Sequence, residues 1–216
     1  KAYSSYTVLD MSQTAGLVDC DVGRNTFDFA VFAGHKTLYG PTGISGFIMK
    51  PDINLRPVLF GGTGYDSANQ DMPDSLPEKY EMGTSNIAGI AGLNAALQWN
   101  QKIGIQNIFE HEQKNRKKLL EILSQYDFIT IVGNASAQQY VGIVSCLFDG
   151  ISSDIAGSLL SEHGVSVRTG LQCAPLAHKF LGTYPAGTIR FSVGHFTSEE
   201  DYNALTNALD YIDQNI

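Results

Sequence analysis

The segment FDFAVFAGHK at 27–36 is an apolar run that ends abruptly in Gly34, His35 and Lys36. A run of this length and composition fits a buried strand, and its polar ending puts reactive side chains at the strand's carboxyl end. YTVLDM at 6–11 has the same form, ending around Asp10 with Gln13 just beyond, and ISGFIMK at 44–50 reads as a third such strand. Ligands of α/β sheets bind beyond the carboxyl ends of the strands. Asp10, Gln13, His35 and Lys36 therefore fall where a site is expected.

Beyond these strands, residues 54–84 are rich in Gly, Asp, Pro and Ser and read as a long loop, of the kind that is more often functional than accidental. From Asn86 the pattern turns helical. Ile90, Leu93, Ala96 and Leu97 share one face through about Lys102, and a second helix over 108–125 carries Phe109, Leu119, Leu120 and Leu123 as its stripe. The run EHEQKNRKK reads as the solvated face of that helix and carries no nucleic-acid meaning. After Tyr126 the order becomes strand FITIV, strand YVGIVSCLF, helix DIAGSLLSEHG, strand VSVRTG, strand TIRFSVG and a last helix opening at Ser198. Its first turn, Glu199, Glu200 and Asp201 behind the capping serine, suits the positive end of a helix dipole. This second stretch is an α+β companion domain.

Acidic residues outnumber basic ones by 22 to 14, for a formal net charge of -8, which argues against a protein that neutralises nucleic-acid phosphates. No segment is apolar enough to span a bilayer, and 43% hydrophobic residues are ample for a core. Both observations favour a small-molecule substrate. Cys20, Cys146 and Cys173 are widely spaced with no CxxC pair, so neither a disulfide framework nor a metal site is expected, and a reducing, cytoplasmic setting is. The opening KAYSSYTVLD lacks a signal-peptide pattern and runs directly into a strand, as if entering a domain midway.

FAGHKTLYGPTG places Lys36 directly after a strand and before Gly40, Pro41 and Gly43, a preorganised turn. Taken alone, such a lysine is equally a surface residue, and the order GxxxxGK[ST] of a phosphate-binding loop is absent. Asp10 and Gln13 add a carboxylate and an amide on the neighbouring strand. A pyridoxal phosphate (PLP) site requires such a pair: the carboxylate keeps the pyridine nitrogen protonated and the ring an electron sink, and the amide bonds the ring oxygen. The same two residues also read as plain strand-end caps.

Five motifs occur in order: D-x-x-Q at Asp10 and Gln13, GHK followed by GPTG at Lys36, EMGTSN around Thr84, VRTGLQCAPLAHK around Cys173, and GTIRFSVGHFTSEED around Arg190. Together they resemble the class V aminotransferase superfamily, and within it the cysteine desulfurase family, over nearly the whole chain. The resemblance implies an α/β fold. Residues 1–104 would be the C-terminal part of the large domain of a PLP-dependent, type I aminotransferase-like transferase, and residues 105–216 a small α+β C-terminal domain. It further implies that Lys36 carries the cofactor as a Schiff base, that Asp10 pairs with the pyridine nitrogen, that Gln13 contacts the ring hydroxyl and that His35 touches the phosphate. Thr84 matches a threonine that reaches a partner subunit's phosphate across a two-fold interface, which implies a homodimer. Arg190 matches the arginine that clamps the substrate carboxylate with its planar fork.

Cys173 matches the desulfurase nucleophile, on a segment between two strands, whereas Cys20 and Cys146 read as structural cysteines and His178 as a packing or surface histidine. The implied reaction takes L-cysteine to L-alanine with a persulfide on Cys173 and a sulfur-acceptor protein as a further partner. An aminotransferase or β-lyase would use the same lysine, aspartate and arginine without sulfur transfer, and a non-catalytic dimerisation or scaffold fragment would keep the fold alone. Two positions depart from the family pattern: Ala33 stands where many relatives carry a phosphate-contacting serine, and Gln172 where a histidine often precedes the cysteine. Relatives are also longer, with a glycine-rich phosphate cradle and a ring-stacking residue in the part that precedes Lys1. The chain thus reads as a C-terminal portion that binds PLP weakly by itself.

Overall fold

The computed structural model describes residues 5–24, 27–133 and 140–215, so the first four residues of KAYSSYTVLD lie outside the described residues. The chain divides into two compact units, Lys1–Gln106 and Asn107–Ile216.

The first unit is built on a three-stranded sheet, β1 (Val8–Asp10), β2 (Phe29–Ala33) and β3 (Ser45–Met49), in the order β1-β2-β3. β1 and β2 are parallel, with Asp10 opposite Val31, so their carboxyl ends share one edge. β3 is antiparallel, with Ser45 opposite Ala33. ISGFIMK is therefore a strand, but its polar end does not join the other two: Lys50 lies at the opposite edge, where its ammonium pairs with buried Asp28 at 3.3 Å. Met11, Ala15, Phe27, Ala30 and Leu38 form the small core, with Leu93 packed against it.

Leu93 belongs to α1 (Ile87–Ile103). Asn86 caps this helix by accepting from the Gly89 N–H at 2.9 Å, and it also donates to the Gly43 carbonyl at 3.1 Å. At the far end, buried Asn100 donates to the Leu38 carbonyl at 2.8 Å. The expected stripe is only half covered: Leu93 and Ala96 are partly buried, whereas Ile90 and Leu97 are exposed. The contact edge runs instead through small residues, since a Cβ at Gly92 would come within 2.8 Å of Pro41. Close approach to the turn, rather than bulk, seats the helix. Residues 54–84 form the expected loop, interrupted only by a short helical turn at Glu78–Tyr80.

The second unit is a four-stranded antiparallel sheet in the order β4-β5-β7-β6, made of β4 (Ile129–Val132), β5 (Ile143–Phe148), β6 (Arg168–Gly170) and β7 (Thr188–Ser192). Strict alternation in β5 buries Val144, Cys146 and Phe148, and β7 buries Ile189 and Phe191 beside them. Against that face pack α2 (Ile105–Leu123), α3 (Ser153–Glu162) and α5 (Glu199–Asp213) through Leu119, Leu123, Leu160, Leu205, Leu209 and Ile212. Each such side chain, fully buried, contributes roughly 1.5–3 kcal/mol before chain entropy is charged against it. Ser198 caps α5 in a capping box with Asp201.

One expectation needs correction. EHEQKNRKK is not a wholly solvated face, because Glu112, Asn115 and Arg116 are buried. Glu112 accepts the Gly142 N–H at 2.6 Å, Asn115 donates to the Gly194 carbonyl at 2.9 Å, and the Arg116 guanidinium lies 4.7 Å from the centre of the Tyr140 ring. The segment between β6 and β7 carries a short helix, α4 (Pro175–Leu181), which starts on a proline in the first turn and stops at left-handed Gly182.

Candidate functional site

Asp10 ends β1 with its carboxylate exposed and accepting the Ser12 N–H at 2.8 Å. Hydrogen bonds from the Ser12 hydroxyl and N–H, with a smaller contribution from the charge of Lys36, hold its pKa below the usual aspartate value. The group is an anion across the neutral range. The chain then turns, with Thr14 and Ala15 N–H groups both donating to the Met11 carbonyl, and leaves Gln13 exposed on the turn.

The turn after β2 is closed by backbone alone. Gly34 N–H donates to the Ile44 carbonyl at 3.0 Å, Tyr39 N–H to the Lys36 carbonyl at 2.9 Å, and Gly40 N–H to the Gly34 carbonyl at 2.7 Å. Glycine is required at both ends, since a Cβ on Gly34 or Gly40 would stand 2.8 Å from a carbonyl oxygen. Because the backbone makes the turn, His35 and Lys36 keep their side chains exposed, at the edge where Asp10 also ends. Thr84, exposed, lies two residues before Asn86, whose bond to Gly43 fastens the entry of α1 to the GPTG turn. Two clefts of this unit, the larger of about 480 Å³, open in the 54–84 loop and are not lined by Asp10, His35 or Lys36.

In the second unit Cys173 sits between β6 and α4, exposed, with φ 63, following Gln172 at φ 43. Two left-handed non-glycine residues in succession cost roughly 1–2 kcal/mol each. Cys146 differs in every respect: it is fully buried in β5, and desolvation pushes its thiol up to about 12. Cys20 is half-buried against the first unit's core.

Arg190 is on β7, opposite Ser145 of β5 and Arg168 of β6, and therefore on the face away from the helices. Its Nε is enclosed without a hydrogen-bond partner among the described residues. An enclosed guanidinium nitrogen with its bond unmade is what an acceptor such as a carboxylate satisfies. His178, read as a packing or surface histidine, is buried, with both ring nitrogens engaged by Gln172 and Thr183. Reasoning from sequence did not find this buried polar group around Gln172; the signal available was Gln172 itself, an uncharged amide where the family pattern has an imidazole.

Asp10, Gln13, His35, Lys36 and Thr84 thus belong to the first unit, and Cys173 and Arg190 to the second. The first set has the chemistry that an aldehyde-bearing, phosphorylated pyridine needs: an exposed amine to hold the aldehyde and a carboxylate kept ionised for the ring nitrogen. The residues fit PLP. Among the described residues no helix is long and apolar enough to cross a membrane.

The family model described as Aminotransferase class-V matches residues 1–205. A probable cysteine desulfurase of Methanothermobacter thermautotrophicus is 32% identical over 211 residues, which cover 95% of this chain and 52% of the relative. A cysteine desulfurase of Haloferax volcanii is 32% identical over 210 residues, covering 95% and 48% respectively. Among solved structures, an apo cysteine desulfurase from Thermococcus onnurineus NA1 superposes with a TM-score of 0.87 at 28% identity, over 98% of this chain and 53% of that one. A cysteine desulfurase from Escherichia coli gives a TM-score of 0.82 at 28% identity, over 95% of this chain and 51% of that one. The chain spans about half the length of the curated relatives it matches.

Proposed function

Because the chain belongs to the aminotransferase class-V family, whose enzymes use PLP, we propose that it is the lysine- and cysteine-bearing portion of a cysteine desulfurase acting on L-cysteine. The observation that carries this reading is the contrast between thiols. Cys146 is sealed in the core and held neutral, whereas Cys173 is exposed on a turn beside the strand of Arg190. A nucleophilic thiol must be accessible and able to ionise. The names of the relatives support the same activity.

Lys36 would hold the cofactor through Nζ, Asp10 would face the ring nitrogen, and Gln13, His35 and Thr84 would contact the ring oxygen and phosphate. When bound, PLP supplies an electron sink that makes the substrate's Cα proton removable and its Cβ–S bond breakable. Asp10, an exposed carboxylate whose pKa the Ser12 hydrogen bonds lower further, would supply the counter-charge for a protonated ring nitrogen. Arg190 would orient the substrate by its carboxylate through its guanidinium fork. Lys36 Nζ would also serve as the general base that takes the Cα proton.

Cys173 Sγ, as thiolate, attacks the substrate sulfur: the S–S bond forms as the Cβ–S bond breaks, and the electron pair of the broken bond, with a proton, makes the methyl group of alanine. Cysteine plus enzyme thiol becomes alanine plus enzyme persulfide. Carbon is reduced as sulfur is oxidised, so no outside oxidant is needed. A homodimer joined across Thr84, a sulfur-acceptor protein and a reducing, cytoplasmic setting complete the reading, since an exposed catalytic thiol must be kept reduced.

The test is to incubate the full-length protein with PLP and L-cysteine, to quantify alanine and to map the persulfide by mass spectrometry. Equimolar alanine with the persulfide on Cys173, both abolished in Cys173→Ser, is expected. Sulfide release that survives Cys173→Ser unaltered would return the protein to a lyase that uses the same cofactor site.

A further inference from the structure

The left-handed pair Gln172–Cys173 lies where three elements meet, and backbone in this region persists only when its surroundings over-determine it. The restraint comes from the Gln172 side chain. Its Nε2 donates to the Thr188 carbonyl at 2.9 Å and, more weakly, to the Arg168 carbonyl at 3.4 Å. Its Oε1 accepts from the Thr188 hydroxyl at 3.1 Å and from His178 Nε2 at 3.0 Å. An amide oxygen is acceptor only, so His178 donates from Nε2, while its Nδ1 meets the Thr183 hydroxyl 2.7 Å away. The group ties β6, the body of α4 and the start of β7 together.

Gln172 is half-buried with its amide bonded to β7 and α4, while the adjoining Cys173 is exposed, so the amide is anchored and the thiol left to solvent. Thr188 precedes Arg190 by two residues on the same face of β7. The anchor therefore references the thiol to the strand that carries the guanidinium.

We propose that Gln172 is a positioning residue for the Cys173 thiol, its amide locking the left-handed turn against Thr188 and His178 so that Sγ projects from a fixed point beside β7. The proposal rests on the reading of Cys173 as nucleophile. It also accounts for an amide at this position: a neutral imidazole offers one donor and one acceptor, too few to bond strand carbonyls, a hydroxyl and His178 together. A nucleophile released from its place loses rate in the transfer step while substrate binding, made elsewhere, is kept.

Gln172→Met keeps the volume and removes all four bonds, while Thr188→Val removes only the hydroxyl's bond and Thr188→Ser restores it. In the full-length protein, deuterium exchange at the Ala174 N–H, which closes the turn onto the Leu171 carbonyl at 2.8 Å, is expected to rise about tenfold or more in Gln172→Met. It should rise less in Thr188→Val and stay at the wild-type rate in Thr188→Ser, with the β5 amides unchanged throughout. With PLP and L-cysteine, kcat of Gln172→Met is expected to fall about a hundredfold at unchanged KM. Wild-type exchange at Ala174 in Gln172→Met, or a rise in KM that matches the loss in kcat, overturns the proposal. Should Gln172→Met not fold, equal exchange in Thr188→Val and Thr188→Ser overturns it instead. Persulfide formation that persists in Cys173→Ser sinks the desulfurase reading separately, since the exchange experiment does not depend on turnover.

Discussion

Glu112 is a carboxylate in the wrong solvent. It lies buried on α2 with one hydrogen bond, from the Gly142 N–H, and burial outweighs that bond, so its pKa is raised above the ordinary 4.5. A carboxyl whose folded pKa is raised favours the native state while protonated. Its contribution is full below 4.5 and is lost as pH rises through the higher folded value. Glu112→Gln keeps the acceptor and the shape but cannot ionise. Urea midpoints measured across that window should fall with rising pH in the wild type relative to the variant; parallel curves would show that Glu112 is adequately solvated where it stands. The residue was legible in part. Ile108, Glu112, Asn115, Leu119 and Leu123 recur at intervals of three and four, so the polar members fall on the apolar stripe itself. Charge made them read as a wet face. What the spacing could not show is that Gly142, Gly194 and Tyr140, all distant in sequence, arrive with partners for them.

At the scale of elements, local chemistry was informative wherever it closed locally. Ser198 followed by three acids announces a helix start, and α5 begins there with the serine and Asp201 bonded to each other's backbone N–H groups. Ser198→Ala is expected to destabilise the second unit by about 0.5–2 kcal/mol, read as a lower thermal midpoint, while Ser198→Asp should recover most of it. The ends of β1 and β2 were equally readable, because an apolar run stopping in polar residues reports its own edge. Strand direction is not local. ISGFIMK has the same form as its neighbours, yet it returns antiparallel and delivers Lys50 to Asp28 instead of to the site. α4 escaped for a related reason: its Leu176, Phe180 and Leu181 are exposed, so no buried stripe marks it, and only Pro175 and Gly182 punctuate it. The motif that singled out Cys173 carried no hint that the preceding amide is fastened to a strand sixteen residues on.

Across the whole molecule, two thiols of the second unit report two different things. Cys173 is exposed and should react with a thiol reagent in the native state, at a rate set by the thiolate it forms. Cys146 shares its cluster with Leu209 and Ile212, none of them accessible, so it reacts only when the sheet and helices part. Its labelling rate then measures the opening equilibrium of that core, provided reclosing is faster than labelling. Leu209→Ala removes a fully buried side chain from the same cluster, a change that costs about 2–5 kcal/mol. Because each 1.4 kcal/mol is about tenfold in an equilibrium, labelling of Cys146 should accelerate by about thirtyfold or more, with the rate at Cys173 unaltered. Mass-spectrometric peptide mapping over a time course gives both rates in one sample. Equal acceleration at the two thiols would mean that Cys173 is shielded in the native state and freed only by the same opening; acceleration at Cys146 alone means that the turn presents Cys173 to solvent without it.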